Sequence, residues 1–182
     1  MLHAAGVSFE AISAQLDEEE AKAGLGAAGF EARDMAEMLA EMKAKSVIEA
    51  DALVIGADQI LERDDGTILS KPVSRDDSLA QLMSLAGRTH HLHSAAVIAE
   101  NGERIWGATE SVALAVRPLG DAFLEDYLDR EYEAVRWNVG GYRIEGMGAQ
   151  LFERIEGSHF AVLGLPLLPL LAFLRGRGML QS

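Results

Sequence analysis

The chain has no cysteine. That excludes a disulfide framework and a thiolate zinc site, and it suits a reducing compartment, so the expected location is the cytoplasm. Basic residues are scarce: 16 Lys and Arg stand against 29 Asp and Glu, a formal charge of −13. An acidic surface of this kind repels duplex nucleic acid and anionic membranes, so neither is expected as a partner. A small anionic ligand is not excluded, because it feels the local field of its cleft. Long apolar runs are also missing. The longest, 161–174, is interrupted by Gly164, Pro166 and Pro169 and is shorter than the roughly 20 residues a membrane helix needs. It reads as a buried turn into a C-terminal core helix, with Pro166 near the first turn. Met1-Leu2-His3 lacks the basic flank and apolar segment of a signal peptide.

What remains is the composition of an α/β protein: 49% hydrophobic residues and 18 glycines in 182 residues, enough for one sizeable domain with room for two lobes. Residues 31–50 place Met35, Leu39, Met42 and Val47 on one face of an amphipathic helix. Residues 52–61 read as a strand, and Asp64-Asp65-Gly66 as a hairpin turn into Thr67-Ile68-Leu69. Ser74 is placed to cap a helix carrying Leu79, Leu82, Met83 and Leu85, which Gly87 stops. Strands near 89–99 and 105–117 are joined by Asn101-Gly102, a strong hairpin signal. Asp121 is expected to cap a helix bearing Phe123, Leu124, Tyr127 and Leu128, with a solvated acidic face. The glycine-rich stretch 138–165 allows close backbone approach to a ligand, or tight turns between short strands.

Several residues carry chemistry on either of two readings. Asp58 ends the run Ala52-Leu53-Val54-Ile55-Gly56-Ala57-Asp58-Gln59, and Lys71 follows in Leu69-Ser70-Lys71-Pro72. They are a surface acid and a turn lysine, or a carboxylate base and a cation facing an anionic substrate. Asp17-Glu18-Glu19-Glu20 is a solvated helix terminus, or it supplies one carboxylate of a divalent-metal site completed by Asp58. Lys43 lies on the helix surface, or it joins Lys71 in gripping phosphates. In Thr89-His90-His91-Leu92-His93 only His91 and His93 share a strand face, and no third ligand is placed by spacing. Histidines at a strand rim are favoured over a zinc site there.

The ordered set of segments resembles the Maf family of nucleoside triphosphate pyrophosphatases. It runs through Ala5-Gly6-Val7-Ser8-Phe9, Asp17-Glu18, Lys43-Ala44, Gly56-Ala57-Asp58-Gln59, Ser70-Lys71-Pro72 and Leu85-Ala86-Gly87-Arg88-Thr89-His90. Arg117-Pro118-Leu119, Gly140-Gly141-Tyr142-Arg143-Ile144-Glu145-Gly146, Ile155-Glu156-Gly157-Ser158 and Gly164-Leu165-Pro166-Leu167 complete it. The resemblance implies one α/β domain over residues 1–182, with an elongated mixed β-sheet, flanking helices and a cleft between two lobes, similar to inosine triphosphate pyrophosphatases. It implies hydrolysis of a nucleoside triphosphate to the monophosphate and pyrophosphate with magnesium or manganese, and a homodimer. By position, Asp58 would activate water, Glu18 would assist with the metal, Lys43 and Lys71 would hold phosphates, and Gln59 and Glu145 would read the base. The Gln and Glu pairing resembles the branch acting on 7-methyl-GTP, where a carboxylate suits a cationic methylated guanine that offers N–H donors.

Members of that family open with a strand and a phosphate-cradling Ser-x-Ser-x-x-Arg loop, followed by a helix. This sequence starts inside that helix, at Met1-Leu2-His3-Ala4-Ala5-Gly6, and Met1 is read as an internal methionine of a longer frame. Without the loop, loss of one charged donor typically costs about 10²–10³ in rate, and an exposed sheet edge would remain. The rival expectation is therefore a non-catalytic nucleotide-binding or cell-division regulatory module.

Overall fold

The computed structural model describes residues 1–181 and forms a mixed α/β protein around a five-stranded open sheet of order β2-β1-β3-β4-β5. The strands are β1 (Leu53–Arg63), β2 (Ile68–Leu69), β3 (Thr89–Glu100), β4 (Glu103–Val116) and β5 (Phe152–Glu156). The helices are α1 (Glu18–Ala27), α2 (Ala32–Lys45), α3 (Arg75–Leu85), α4 (Asp121–Val135), α5 (His159–Val162) and α6 (Leu167–Gly176). The chain divides into two compact units, one made of Met1–Gln59, His93–Ser111 and the segment from Ser158 onward, the other of Ile60–Leu92 and Val112–Gly157. No helix among the described residues is long and apolar enough to cross a membrane.

In the first unit, Asp17 caps α1 by accepting from the Glu20 amide at 3.0 Å, and Glu18, Glu19 and Glu20 occupy the first turn, where negative charge complements the helix dipole. Residues 1–6 form a single 3₁₀ turn, His3–Ala5, closed by Gly6 at φ 78°. A 3₁₀ turn thus stands where the family resemblance implies an α-helix.

The helix α2 ends earlier than the expected 31–50 span, and its buried face is shifted. The buried stripe is Ala32, Met35, Ala36, Leu39, Ala40 and Ala44; Met42 is exposed and Val47 lies beyond the helix. The stripe is small because the strand beneath it approaches closely: a Cβ on Gly56 would sit 2.1 Å from the Ala40 carbonyl oxygen and 2.5 Å from the Ala44 nitrogen. The opposite side chains of β1, Leu53, Ile55 and Ala57, pack with Ala96, Ile98, Leu165, Leu167, Leu170 and Leu174. Pro166 precedes the first residue of α6, as its fixed φ and missing N–H favour. The β3–β4 connection has positive φ at both Asn101 (52°) and Gly102 (81°), the type I′ hairpin that its dipeptide predicts.

In the second unit, β2 pairs antiparallel with the end of β1, with Leu61 opposite Leu69, and β5 pairs antiparallel with β4. Ser74 caps α3 by accepting from the Asp77 amide at 3.1 Å. The side chains of Ser78, Leu82 and Leu85 are buried there, whereas Met83 is exposed. Gly120, not Asp121, holds the N-cap position of α4; Asp121 is the first helical residue and makes no capping bond. Its negative charge in the first turn still favours the helix dipole. The buried face of α4 is Leu124, Tyr127, Leu128 and Val135, and α4 packs on α3.

Candidate active site

Strand alternation and the bare Gly56 together decide where Asp58 points. Gly56 faces α2, so Asp58, two residues on, shares that face. Its Oδ1 accepts from Lys43 Nζ of α2 at 2.6 Å, and the same ammonium lies 3.0 Å from Glu18 Oε1 at the start of α1. Three elements of one unit thus deliver a carboxylate–ammonium–carboxylate group of net charge −1. Ser46 holds the end of α2 by donating from Oγ to the Lys43 carbonyl at 2.8 Å. Arg104 of β4 ties the same helix by ion pairs to Glu37 and Glu41. That pairing holds the Glu37 carboxyl below its ordinary range.

The two sides of the central pair respond differently to burial. Asp58 is the more enclosed, with 9% of its side chain exposed against 16% for Lys43, and Asp58 Oδ2 is buried with no hydrogen-bond partner. Burial therefore raises its pKa above the ordinary aspartate value, outweighing the attraction of Lys43. For Lys43, burial acts downward, but Asp58 and Glu18 together hold the ammonium above its usual pKa. The lysine has two anions around it and stays charged, whereas the aspartate is left with one bare, poorly solvated oxygen. A carboxylate in that state is a stronger base than one in water.

Alternation sends Gln59 to the other face of β1. There its Nε2 donates to Ser94 Oγ at 2.8 Å, to the Ala161 carbonyl at 2.9 Å and to the Val162 carbonyl at 3.2 Å. Lys71 and Glu145 both belong to the second unit and are exposed. The structure therefore gathers Glu18, Lys43 and Asp58 into one charged group and ties Gln59 into the packing behind it. Sequence reasoning passes over two residues here. Lys22 adds positive potential at Asp58, and Ser94, fully buried, is a lone hydroxyl in the apolar run Ser94-Ala95-Ala96-Val97. That polar interruption is the signal that would have marked it.

Among the named histidines, His90 Nε2 lies 2.6 Å from the Tyr142 hydroxyl, and His93 Nδ1 lies 2.8 Å from Ser111 Oγ. No group of three or more histidine, aspartate or glutamate side chains among the described residues is arranged to hold a metal ion. The Glu18–Asp58 pair still fits a hard divalent cation. It offers carboxylate oxygens gathered about one ammonium, and magnesium takes one or two carboxylates, completing its shell with water and substrate phosphate.

The profile of the family described as Maf-like protein matches residues 1–177. The chain belongs to the Maf-like family. Among curated relatives of this Maf-like chain, a nucleoside triphosphate pyrophosphatase of Caulobacter vibrioides is 50% identical over 181 residues, covering 99% of this chain and 90% of the relative. A protein of the same name from Sphingopyxis alaskensis is 46% identical over 181 residues, 98% of this chain and 91% of its own. A protein named 7-methyl-GTP pyrophosphatase from Rhizobium meliloti is 43% identical over 185 residues, covering 100% of this chain and 92% of the relative.

Proposed function

We propose that this Maf-like protein hydrolyses a nucleoside triphosphate between its α and β phosphates, releasing a nucleoside monophosphate and pyrophosphate. One observation carries the reading: a single carboxyl group has one oxygen clamped by Lys43 and the other buried without a donor. The clamp orients Asp58, and the bare Oδ2 is the atom that takes a proton from water. The water oxygen attacks phosphorus, the bond to the bridging oxygen breaks, and pyrophosphate leaves. Chemistry of this kind depends on a positioned nucleophile and neutralised phosphate charge, with no covalent protein intermediate.

Lys43 and Lys71 are assigned to the phosphates as cations. Glu18 and Asp58 would hold magnesium or manganese, which when bound supplies charge neutralisation on phosphate oxygens. The substrate reading is narrower still: Gln59 and Glu145 read the base, and a purine with N–H donors, 7-methyl-GTP foremost, is preferred. The named Rhizobium relative and the acceptor character of a carboxylate at Glu145 support it. The cytoplasm is the proposed compartment, in keeping with the cysteine-free composition.

The test is pyrophosphate release with magnesium across the common nucleotides and 7-methyl-GTP, by the native chain and by Glu145→Gln. Release that prefers 7-methyl-GTP, with Glu145→Gln losing that substrate more than pyrimidine nucleotides, supports the reading. Equal losses on all substrates would remove the role given to Glu145.

A further inference from the structure

We infer that Ser94 is a positioning residue that, together with the Ala161 and Val162 carbonyls, commits the Gln59 amide to meeting a ligand as a hydrogen-bond acceptor only. The inference rests on the reading of Gln59 as a base-contacting residue and adds which of its atoms makes the contact.

The argument is one of donors and acceptors. A glutamine amide has two N–H donors on Nε2 and an acceptor oxygen, and the two ends look alike in shape. Here the surroundings decide the orientation. The carbonyls of Ala161 and Val162, at the end of α5, are acceptors with no proton to give. Ser94 could serve as donor or acceptor, but its single hydroxyl proton is already directed at the Ala161 carbonyl at 2.6 Å. Towards Gln59 its oxygen is therefore an acceptor as well. All three neighbours demand donors, so Nε2 must face them. Reversing the amide would set Oε1 against three acceptor oxygens. Among the described residues, every hydrogen bond of the Gln59 side chain runs from Nε2, which leaves Oε1 as the end of the amide that can accept from a ligand.

The consequence is a chemical class. A ligand meeting Gln59 must offer an N–H at that point. The Watson–Crick edge of guanine or 7-methylguanine carries donors at N1 and N2 side by side. Uracil and thymine carry one N–H between two carbonyl oxygens, and an acceptor at this position meets those oxygens unfavourably. Ser94 acts on this choice without touching the base.

The test uses the full chain with Ser94→Ala, Ser94→Thr and Gln59→Ala. The first readout is the Gln59 side-chain amide resonance of the ligand-free protein. Slow solvent exchange of both Nε2 protons is expected in the native chain and in Ser94→Thr, with exchange at least tenfold faster in Ser94→Ala; fast exchange in the native chain overturns the inference. The second is calorimetric titration with GMP, 7-methyl-GMP and UMP, which needs no turnover. Ser94→Ala is expected to weaken both guanine nucleotides about fivefold to tenfold and UMP less than twofold, with Ser94→Thr close to native. Equal weakening of all three marks Ser94 as merely structural and overturns the inference. If Gln59→Ala leaves the nucleotide ranking unchanged, the base-contact reading itself fails. If Gln59→Ala changes the ranking and Ser94→Ala does not, only the role of Ser94 fails.

Discussion

Lys43 Nζ lies 2.6 Å from Asp58 Oδ1, while the other oxygen of the same carboxyl is buried with no donor at all. The asymmetry gives one group two tasks, an anchored end and a basic end. Asp58→Asn is therefore expected to abolish pyrophosphate release, by at least about 10³-fold, with the thermal midpoint retained. The pH profile follows from the sign of the shift. Asp58 must be ionised to accept a proton, and burial raises its pKa above the ordinary value, so kcat/KM falls as pH drops through that raised pKa. The acid limb should lie above the unperturbed aspartate value of about 3.9. A limb at or below that value, or turnover by Asp58→Asn, would remove Asp58 from the role of base.

Lys43 and a divalent ion would share the same two carboxylates, which leads to opposite effects on binding and turnover. Replacing Lys43 by Ala removes a positive charge 3.0 Å from Glu18 and 2.6 Å from Asp58. Attraction for a divalent cation should rise, because like charge has been taken from its surroundings. Manganese binding followed by calorimetry is expected to tighten about tenfold, or about 1.4 kcal/mol. Pyrophosphate release should fall at least about 10²-fold, since the clamp on Asp58 is gone. Weaker manganese binding in Lys43→Ala would argue that Glu18 and Asp58 are not the metal pair.

Much of this arrangement was legible from local sequence, and the exceptions share a cause. Ser74 as a cap and Asn101-Gly102 as a type I′ turn are local effects, complete within a few residues. The apolar run Ala52–Gln59 likewise marks Asp58 as a candidate base, whereas the close approach of α2 at Gly56 shows only in the structure. Met42 and Met83 misled because periodicity ranks side chains by hydrophobicity alone. The buried stripe of α2 is instead chosen by the closeness of Gly56, which admits alanines and turns Met42 outward. Spacing leaves Lys43 open between a surface residue and a phosphate-gripping cation for a related reason: the carboxylates that hold it come from two other elements. The commitment of the Gln59 amide was hidden too, since its three acceptors lie on β3 and α5.

The approach at Gly56 offers a test that links packing to the site. A methyl group there would lie 2.1 Å from the Ala40 oxygen and 2.5 Å from the Ala44 nitrogen, both backbone atoms that no rotamer change can move. Gly56→Ala must therefore lift α2 from the strand. The expected destabilisation is at least about 2 kcal/mol in urea unfolding. Because Lys43 rides on the displaced helix, kcat should fall as well, even where the variant remains folded. Full activity with native stability would show that the helix is not seated as tightly as the Gly56 contact requires.

His90 supplies the last prediction, on stability and acid. Its ring is fully buried beside Tyr142, with Nε2 2.6 Å from the hydroxyl, and Nδ1 is buried without a partner. Burial, with a smaller contribution from the charge of His91, lowers its pKa from 6.5 to about 4. An unfolded chain takes up this proton near pH 6.5, whereas the native protein refuses it until about pH 4. The unfolded state thus binds more protons throughout that window, and stability falls as pH drops through it. Above pH 6.5 the full stability is present. Between pH 7 and pH 5 the loss from this one group should be about 2 kcal/mol, since each unit in the window is worth about 1.4 kcal/mol. The ion pairs that lower the Glu37 and Glu41 pKa values weaken at lower pH still, so they contribute little between pH 7 and pH 5. Urea unfolding of the native chain and of His90→Gln at both pH values checks it. The variant is expected to start less stable at pH 7, having lost the shape of the ring, and to change little on acidification. A variant that loses as much between pH 7 and pH 5 as the native chain would show that the acid sensitivity originates elsewhere.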